Sequence, residues 1–306
     1  MSPTAPVIEP AKRTHLGGMT RRHRSQFVYN GAHADDRPLM LSPLDLDRFR
    51  VLAKYPYLPS HWIKALSGGS EQRNYSRLAR LAREPHAYLE RRQDWYKHAV
   101  YTLTGKGYAA INATPDVTRD PFAHQLLQSL VEASFALEVQ DAEHLTWNDI
   151  ITLGKVPFEA LKKRAIPLNS DKLLPDGHPN ALRRNGKHLF YVKEIDRATE
   201  PLVASIKRRS IQEKFRHYAE FINRGLYRTH FGFPNCIVLF ITTNETRMHA
   251  MMKLAKKEVG DATWLLFAHT KDWANEPSFP APPLGLYTRG WNRNGHAHFF
   301  LDKFDA

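Results

Sequence analysis

The sequence predicts a two-module α/β chain, in which a small helical unit closed by a β-ribbon precedes a larger unit whose strands build a mixed sheet between helices. Three observations predict it. Between Leu44 and Ala82, three short runs place apolar residues at the helical period. Segments 189–196, 236–241 and 264–268 are dense in branched and aromatic residues, as core strands are. Thr114-Pro115-Asp116 separates the two patterns, because a proline disfavours helix at the residue before it. The expected modules are therefore 41–115 and 116–275, flanked by a basic arm at 1–40 and an extension at 276–306.

In the first module, Ser42 caps a helix that has Pro43 at its first position and Leu44, Phe49, Leu52 and Ala53 on one face. A second helix spans 59–66 with Trp62, Ile63 and Leu66, and Ser67-Gly68-Gly69 stops it. Ser70 opens a third, whose apolar stripe is Tyr75, Leu78, Ala79 and Ala82 and whose other faces carry Arg73, Arg77, Arg80 and Arg83. A β-ribbon follows: 87–90, a polar turn at 91–94 that includes Arg91 and Arg92, and 95–103 returning. Thr104-Gly105-Lys106-Gly107 closes it, and a short apolar helix spans 108–111.

Three helices and a two-stranded ribbon resemble a winged helix-turn-helix. That resemblance implies a third helix able to enter a major groove, where its arginines meet phosphates or guanine edges, while Arg91 and Arg92 reach the flanking backbone. Residues 41–112 hold 12 basic and 6 acidic side chains, a local excess in keeping with a polyanionic partner. A plain packing module is the alternative, since the same fold serves both uses.

Composition narrows the classes further. Lys and Arg number 44 against 31 Asp and Glu, a net charge of +13, which concentrates polyanions at the surface and makes duplex DNA the expected partner. The single cysteine, Cys236, borders the apolar run 237–241 and reads as a small buried hydrophobe rather than half of an internal disulfide. No apolar stretch approaches the ~18 residues of a bilayer span, and the first residues lack the apolar core of a secretory signal, so a cytoplasmic protein without membrane contact is expected. Neither a zinc-type Cys/His spacing nor a phosphate-cradling glycine motif is present, which argues against transition-metal and ATP chemistry.

In the second module a helix runs from Pro121 to about Gln140, with Phe122, Leu126, Leu127, Leu130, Val131 and Leu137 at helical spacing. Strands are expected at 150–153, around 172–176 and at 189–196. A long helix from Val203 to Gly225, a strand at 236–241, a helix at 245–259 and a strand at 264–268 complete the pattern. Alternation along 189–196 sets Phe190, Val192, Glu194 and Asp196 on one face and Tyr191, Lys193 and Ile195 on the other.

Asp176, in a literal Pro175-Asp176, precedes Glu194 by eighteen positions. With the element order helix, three strands, helix, strand, this resembles the core of the PD-(D/E)xK nuclease superfamily. The resemblance implies Mg²⁺ or Mn²⁺ held by the hard oxygens of Asp176 and Glu194, and phosphodiester hydrolysis beside it. The sequence departs from the motif where its lysine belongs, two positions after the glutamate, which is Asp196 here. Lys193 faces the other side of the sheet, so Lys214 on the following helix is the candidate to bring an ammonium to the metal, with Asp196 assisting and Tyr218 one turn beyond. Lys207, Arg208 and Arg209 stand ready to hold a phosphate backbone against the acids. On the first helix of this module, His124 and Glu132 share a side and either line the site or stay buried and hydrogen-bonded. The plain alternative for the acids is surface charge, or an ion pair with Arg197.

Taken together, the ribbon ending in Tyr101-Thr102-Leu103-Thr104-Gly105-Lys106-Gly107, the helix carrying His124, Pro175-Asp176 and Glu194-Ile195-Asp196-Arg197-Ala198-Thr199-Glu200 resemble the replication-relaxation family of plasmids and other mobile elements. This implies a bacterial protein acting on DNA during replication or transfer, for which a homodimer is one expected form. Whether such a protein cuts DNA, or binds it as a non-catalytic accessory or transcription regulator, is left open by the resemblance.

Overall fold

A computed structural model describes residues 39–92, 99–114, 122–154, 156–157, 160–161, 165–169, 171–197, 200–203, 210–270 and 279–304. The first helix, α1 (Pro43–Lys54), starts with a capping box: the Asp45 N–H donates to the Ser42 hydroxyl at 3.3 Å, and the Asp45 carboxylate accepts from the Ser42 N–H at 2.8 Å. Asp45 then does a second job. It is fully buried and receives Arg48 at 3.1 Å and Arg77 at 2.5 Å, which ties α1 to α3 (Glu71–Leu81). Between them lie β1 (Leu58–Pro59) and α2 (Ser60–Ser67). Ser70 sits at the N-cap of α3, but its side chain makes no capping bond.

Strands β2 (Leu89–Arg92) and β3 (Val100–Leu103) join β1 in an antiparallel sheet of order β1-β3-β2. Arg91 and Arg92 thus belong to a strand and not to the expected turn, whose remaining residues, 93–94, lie outside the described ones. Thr104 caps α4 (Gly105–Ala110), and Gly107 is required there, because a Cβ would collide with the Tyr88 carbonyl and the Leu103 side chain.

The second part is built on a sheet of order β12-β11-β10-β9-β8-β7-β4. Its centre is parallel: β8 (Lys187–Asp196), β9 (Ile237–Thr242) and β10 (Leu265–His269). Antiparallel strands flank it, with β4 (Glu143–Leu145) and β7 (Asn180–Arg184) on one side and β11 (Gly290–Arg293) and β12 (His296–Phe300) on the other. A separate two-stranded piece, β5 (Ile166–Pro167) with β6 (Lys172–Leu173), leads toward Asp176.

One face of the sheet packs Phe190, Val192, Val238, Phe240 and Phe267 against α7 (Ile211–Asn223) and α9 (Glu245–Val259). A short helix, α8 (Leu226–Thr229), follows α7. The other face meets α5 (Phe122–Glu138), with Phe135 against Tyr191 at 5.6 Å. Among the described residues, no helix is long and apolar enough to cross a membrane.

Two expected elements are corrected. Residues 150–153 were expected as a strand, but Trp147–Thr152 form a helix, α6. Thr146 and Asp149 make a capping box that dictates helix, and a four-residue apolar run has no period of its own to oppose it. The helix expected from Val203 begins instead at Ile211, where Ser210 accepts the Glu213 N–H at 3.2 Å. Val203 is exposed, and Ile206 lies outside the described residues.

Contacts between the first and second parts are specific. Lys54 pairs with Asp149 at 3.1 Å, Tyr57 meets Phe122 edge to face at 5.2 Å, and Tyr55 stacks on His144. The C-terminal segment adds a strap. The Trp62 indole donates to the Pro280 carbonyl at 3.0 Å, and Glu138 accepts the backbone N–H groups of Leu286 and Tyr287 at 3.0 and 2.7 Å.

Candidate functional site

Asp176 stands in the loop between β6 and β7, alongside the end of β8. Its Oδ2 accepts the Ile195 N–H at 2.8 Å, beyond the point where β7 pairs with β8, and its Oδ1 receives His124 Nε2 at 3.0 Å. Gly177 makes this placement feasible: its φ is +74°, and a Cβ there would press on Gln128 Oε1 and Lys193 Nζ. Glu194 is 1% exposed, so it is not surface charge. Lys214 Nζ lies 2.7 Å from Glu194 Oε2 and the Tyr218 hydroxyl 2.5 Å from Oε1. Lys214 and Tyr218 are four apart on α7 and so project from one side of it.

Charge separates the two acids. Burial alone would raise Asp176, but the His124 hydrogen bond and the Lys214 and His124 charges outweigh it and hold the carboxyl down at about 2. Burial and then the Asp176 charge push Glu194 up to about 8, against the pull of Lys214 and Tyr218. Burial would lower Lys214, yet the Glu194, Asp176 and Glu200 carboxylates raise it overall. Asp176 therefore carries the lasting negative charge of the pair, Glu194 holds a proton near neutrality, and Lys214 stays charged beside them; the charge of Glu194 appears as pH rises or as a cation arrives.

Asp196 shares the face of Glu194 but is engaged elsewhere. Arg247 binds both its oxygens at 2.8 and 3.1 Å, and the Thr242 hydroxyl donates to it at 3.1 Å. Arg247 also donates to the Glu200 carbonyl at 2.6 Å, and the Glu200 carboxylate lies 3.0 Å from Lys214. On the opposite face Lys193 is fully buried, 2.5 Å from Glu132, and donates to Asn180 Oδ1 at 2.8 Å and to the His178 carbonyl at 3.2 Å. Of the two residues flagged on α5, His124 therefore belongs to the Asp176 site and Glu132 to the Lys193 pair.

Hard carboxylate oxygens whose charges strain one another suit a hard divalent cation, which would relieve that strain. In the structure the Lys214 ammonium meets that need at Glu194, and it would have to give way to a bound ion. Among the described residues, one set of three donors lies within 4.8 Å of one another, and it is a different one: Asp171, Glu213 and His217.

The arginines expected to meet DNA fall into distinct settings. Arg73 is exposed on α3 and Arg80 is half-buried there, whereas Arg83, expected on the same helix, is exposed but lies beyond its last residue, Leu81. Arg77 is committed to Asp45 and to the Met40 carbonyl at 2.7 Å. Arg91 is exposed on β2, whereas Arg92 lies over Phe122 and bonds Glu90 at 2.9 Å. Lys207, Arg208 and Arg209 lie outside the described residues.

Neither Glu200 nor Arg247 is expected in the site from the sequence. Glu200 closes the Glu194–Glu200 segment that carries the family resemblance, a signal that could have marked it, whereas Arg247 stands 51 positions from the acid it holds and no spacing points to it. Compared with known proteins, the chain matches the family model described as replication-relaxation over residues 49–236. No curated protein and no solved structure is matched.

Proposed function

The chain belongs to the replication-relaxation family, and from that premise we propose that it acts on duplex DNA in the replication or mobilisation of a mobile element, as a Mg²⁺- or Mn²⁺-dependent endonuclease. Residues 41–115 are read as a winged helix that grips DNA through Arg73, Arg80, Arg83 and Arg91. Residues from 116 onward are read as a PD-(D/E)xK-like core. The observation that carries the reading is the buried Glu194 beside Asp176, with Lys214 delivered to it from α7 at 2.7 Å. Strained titratable groups of this kind cluster at working sites.

In this reading Asp176 and Glu194 hold the metal. When bound, the ion lowers the pKa of its water and neutralises charge on the phosphate. His124 fixes one oxygen of Asp176 and Tyr218 one oxygen of Glu194, so both carboxylates keep their orientation. Lys214, charged throughout, would yield its hold on Glu194 to the ion, and its ammonium could then meet negative charge building on the phosphoryl oxygens as water adds to phosphorus and the P–O bond breaks.

A second reading, a DNA-binding accessory that does not cut, is favoured by one observation. The motif lysine is replaced by Asp196, which Arg247 holds away from the acids. Supercoiled plasmid incubated with the protein and Mg²⁺ or Mn²⁺ separates the two. Nicking that disappears in Asp176→Ala and in Glu194→Ala is the expected result. Intact plasmid that still binds the wild-type protein would establish the accessory instead.

A further inference from the structure

Strand β2 ends against the start of α5. Arg92, its last residue, lays its guanidinium 4.7 Å from the Phe122 ring centroid and 5.8 Å from that of Tyr57. Phe122 opens α5, and two residues on His124 reaches Asp176 at 3.0 Å. Side-chain exposure falls along this line, from 36% at Arg92 through 19% at His124 to 15% at Asp176. Residues 122 and 124 project from nearly opposite sides of α5, so the first turn of that helix stands between the exposed Arg92 and the buried acids and carries a side chain toward each. Cα atoms two apart on a helix are about 5 Å from each other, so with the side chains included the run from guanidinium to carboxylate is at most about 22 Å.

We propose that β2 and the carboxylate site are two ends of one nucleic-acid track. The duplex whose phosphates meet Arg91 and Arg92 passes over Phe122 and presents a phosphodiester to Asp176 and Glu194. At about 3.4 Å per base pair, the two engagements fall within about seven base pairs of each other. The arrangement answers an electrostatic problem: carboxylates alone repel DNA, and a cationic strand this near holds the backbone against them. The inference rests on the DNA reading above and adds to it the path of the substrate.

Binding of the full chain to two duplexes, one of about one helical turn and one of more than two turns, tests it. Salt titrations are followed by anisotropy, with and without Ca²⁺ as an oxygen-seeking probe ion. On the short duplex, Ca²⁺ is expected to tighten binding several-fold, and Glu194→Gln to remove that gain. Arg91→Glu is expected to weaken the same short duplex about tenfold and to lower its salt slope by about one. Arg92→Gln should act in the same direction. A short duplex that gains from Ca²⁺ yet ignores both arginine changes, while the long one responds to both, would place the two ends too far apart and overturn the proposal. Absence of a Ca²⁺ gain on either duplex removes the second end and overturns it too. Salt-independent binding to both would overturn the DNA reading itself, and the track with it.

Discussion

Asp45 and Glu194 are both buried carboxylates, 0% and 1% exposed, yet the protein treats them in opposite ways. Asp45 is over-supplied. It receives Arg77 at two atoms, Arg48, and both the N–H and the hydroxyl of Ser42, and these donors outweigh burial and hold it below the usual carboxylate range. Glu194 has one ammonium, shared with Glu200, and one hydroxyl, and the Asp176 charge stands nearby. A buried acid that organises folding is saturated with donors. One left short of them holds free energy that a ligand can release, which is the mark of a site under functional constraint.

The largest expected effect is on stability. Asp45→Ala should cost about 3–5 kcal/mol in urea denaturation, because it strands two arginines and uncaps α1. Glu194→Gln should leave stability within about 1 kcal/mol of wild type, since it relieves repulsion from Asp176 while Lys214 keeps Glu200. Equal losses for the two would erase the contrast. Next in size is pH. Glu194, pushed up to about 8, must lose its proton to ligate, so Mn²⁺ affinity measured calorimetrically should rise by up to about tenfold per pH unit below 8 and level off above it. A flat profile from pH 6 to 8 would mean that the Glu194 proton plays no part.

Smaller again is Tyr218→Phe, which removes a donor from Glu194. It should cost about 1–2 kcal/mol and, because that donor lowers Glu194, move the midpoint of the Mn²⁺ profile upward. The smallest effect belongs to Arg73→Ala, expected to change stability by less than about 0.5 kcal/mol. Arg77→Ala should be clearly destabilising through Asp45, so DNA affinities of the two variants are comparable only after that difference is measured.

Strong local patterns were legible in the sequence. Alternation placed Glu194 and Lys193 on opposite faces of β8, the period of α7 offered Lys214, and α9 occupies the residues its pattern predicted, 245–259. Short apolar runs were not, because 150–153 carries no period and its fate was set by a Thr146–Asp149 cap that went unread. The hairpin between β7 and β8 did leave a signal: Asn185-Gly186, both with positive φ, is the chemistry of a two-residue turn and could have revealed β7. Ties such as Arg247 to Asp196 and His124 to Asp176 join residues about 50 positions apart, and only tertiary packing creates them.

The strap at Pro280, Leu286 and Tyr287 makes the C-terminal stretch more than an appendage. It clasps α2 and α5 before the chain re-enters the sheet as β11 and β12. A protein cut back to its first 275 residues would leave β10 as a raw sheet border, open to strand pairing between molecules. It would also remove one tie between the two parts, leaving Lys54–Asp149, Tyr57–Phe122 and Tyr55–His144 to hold them. Through α2 and α5 the strap thus braces the first part against the helix that carries His124, so a change made at Pro280 should be felt on both sides of that junction.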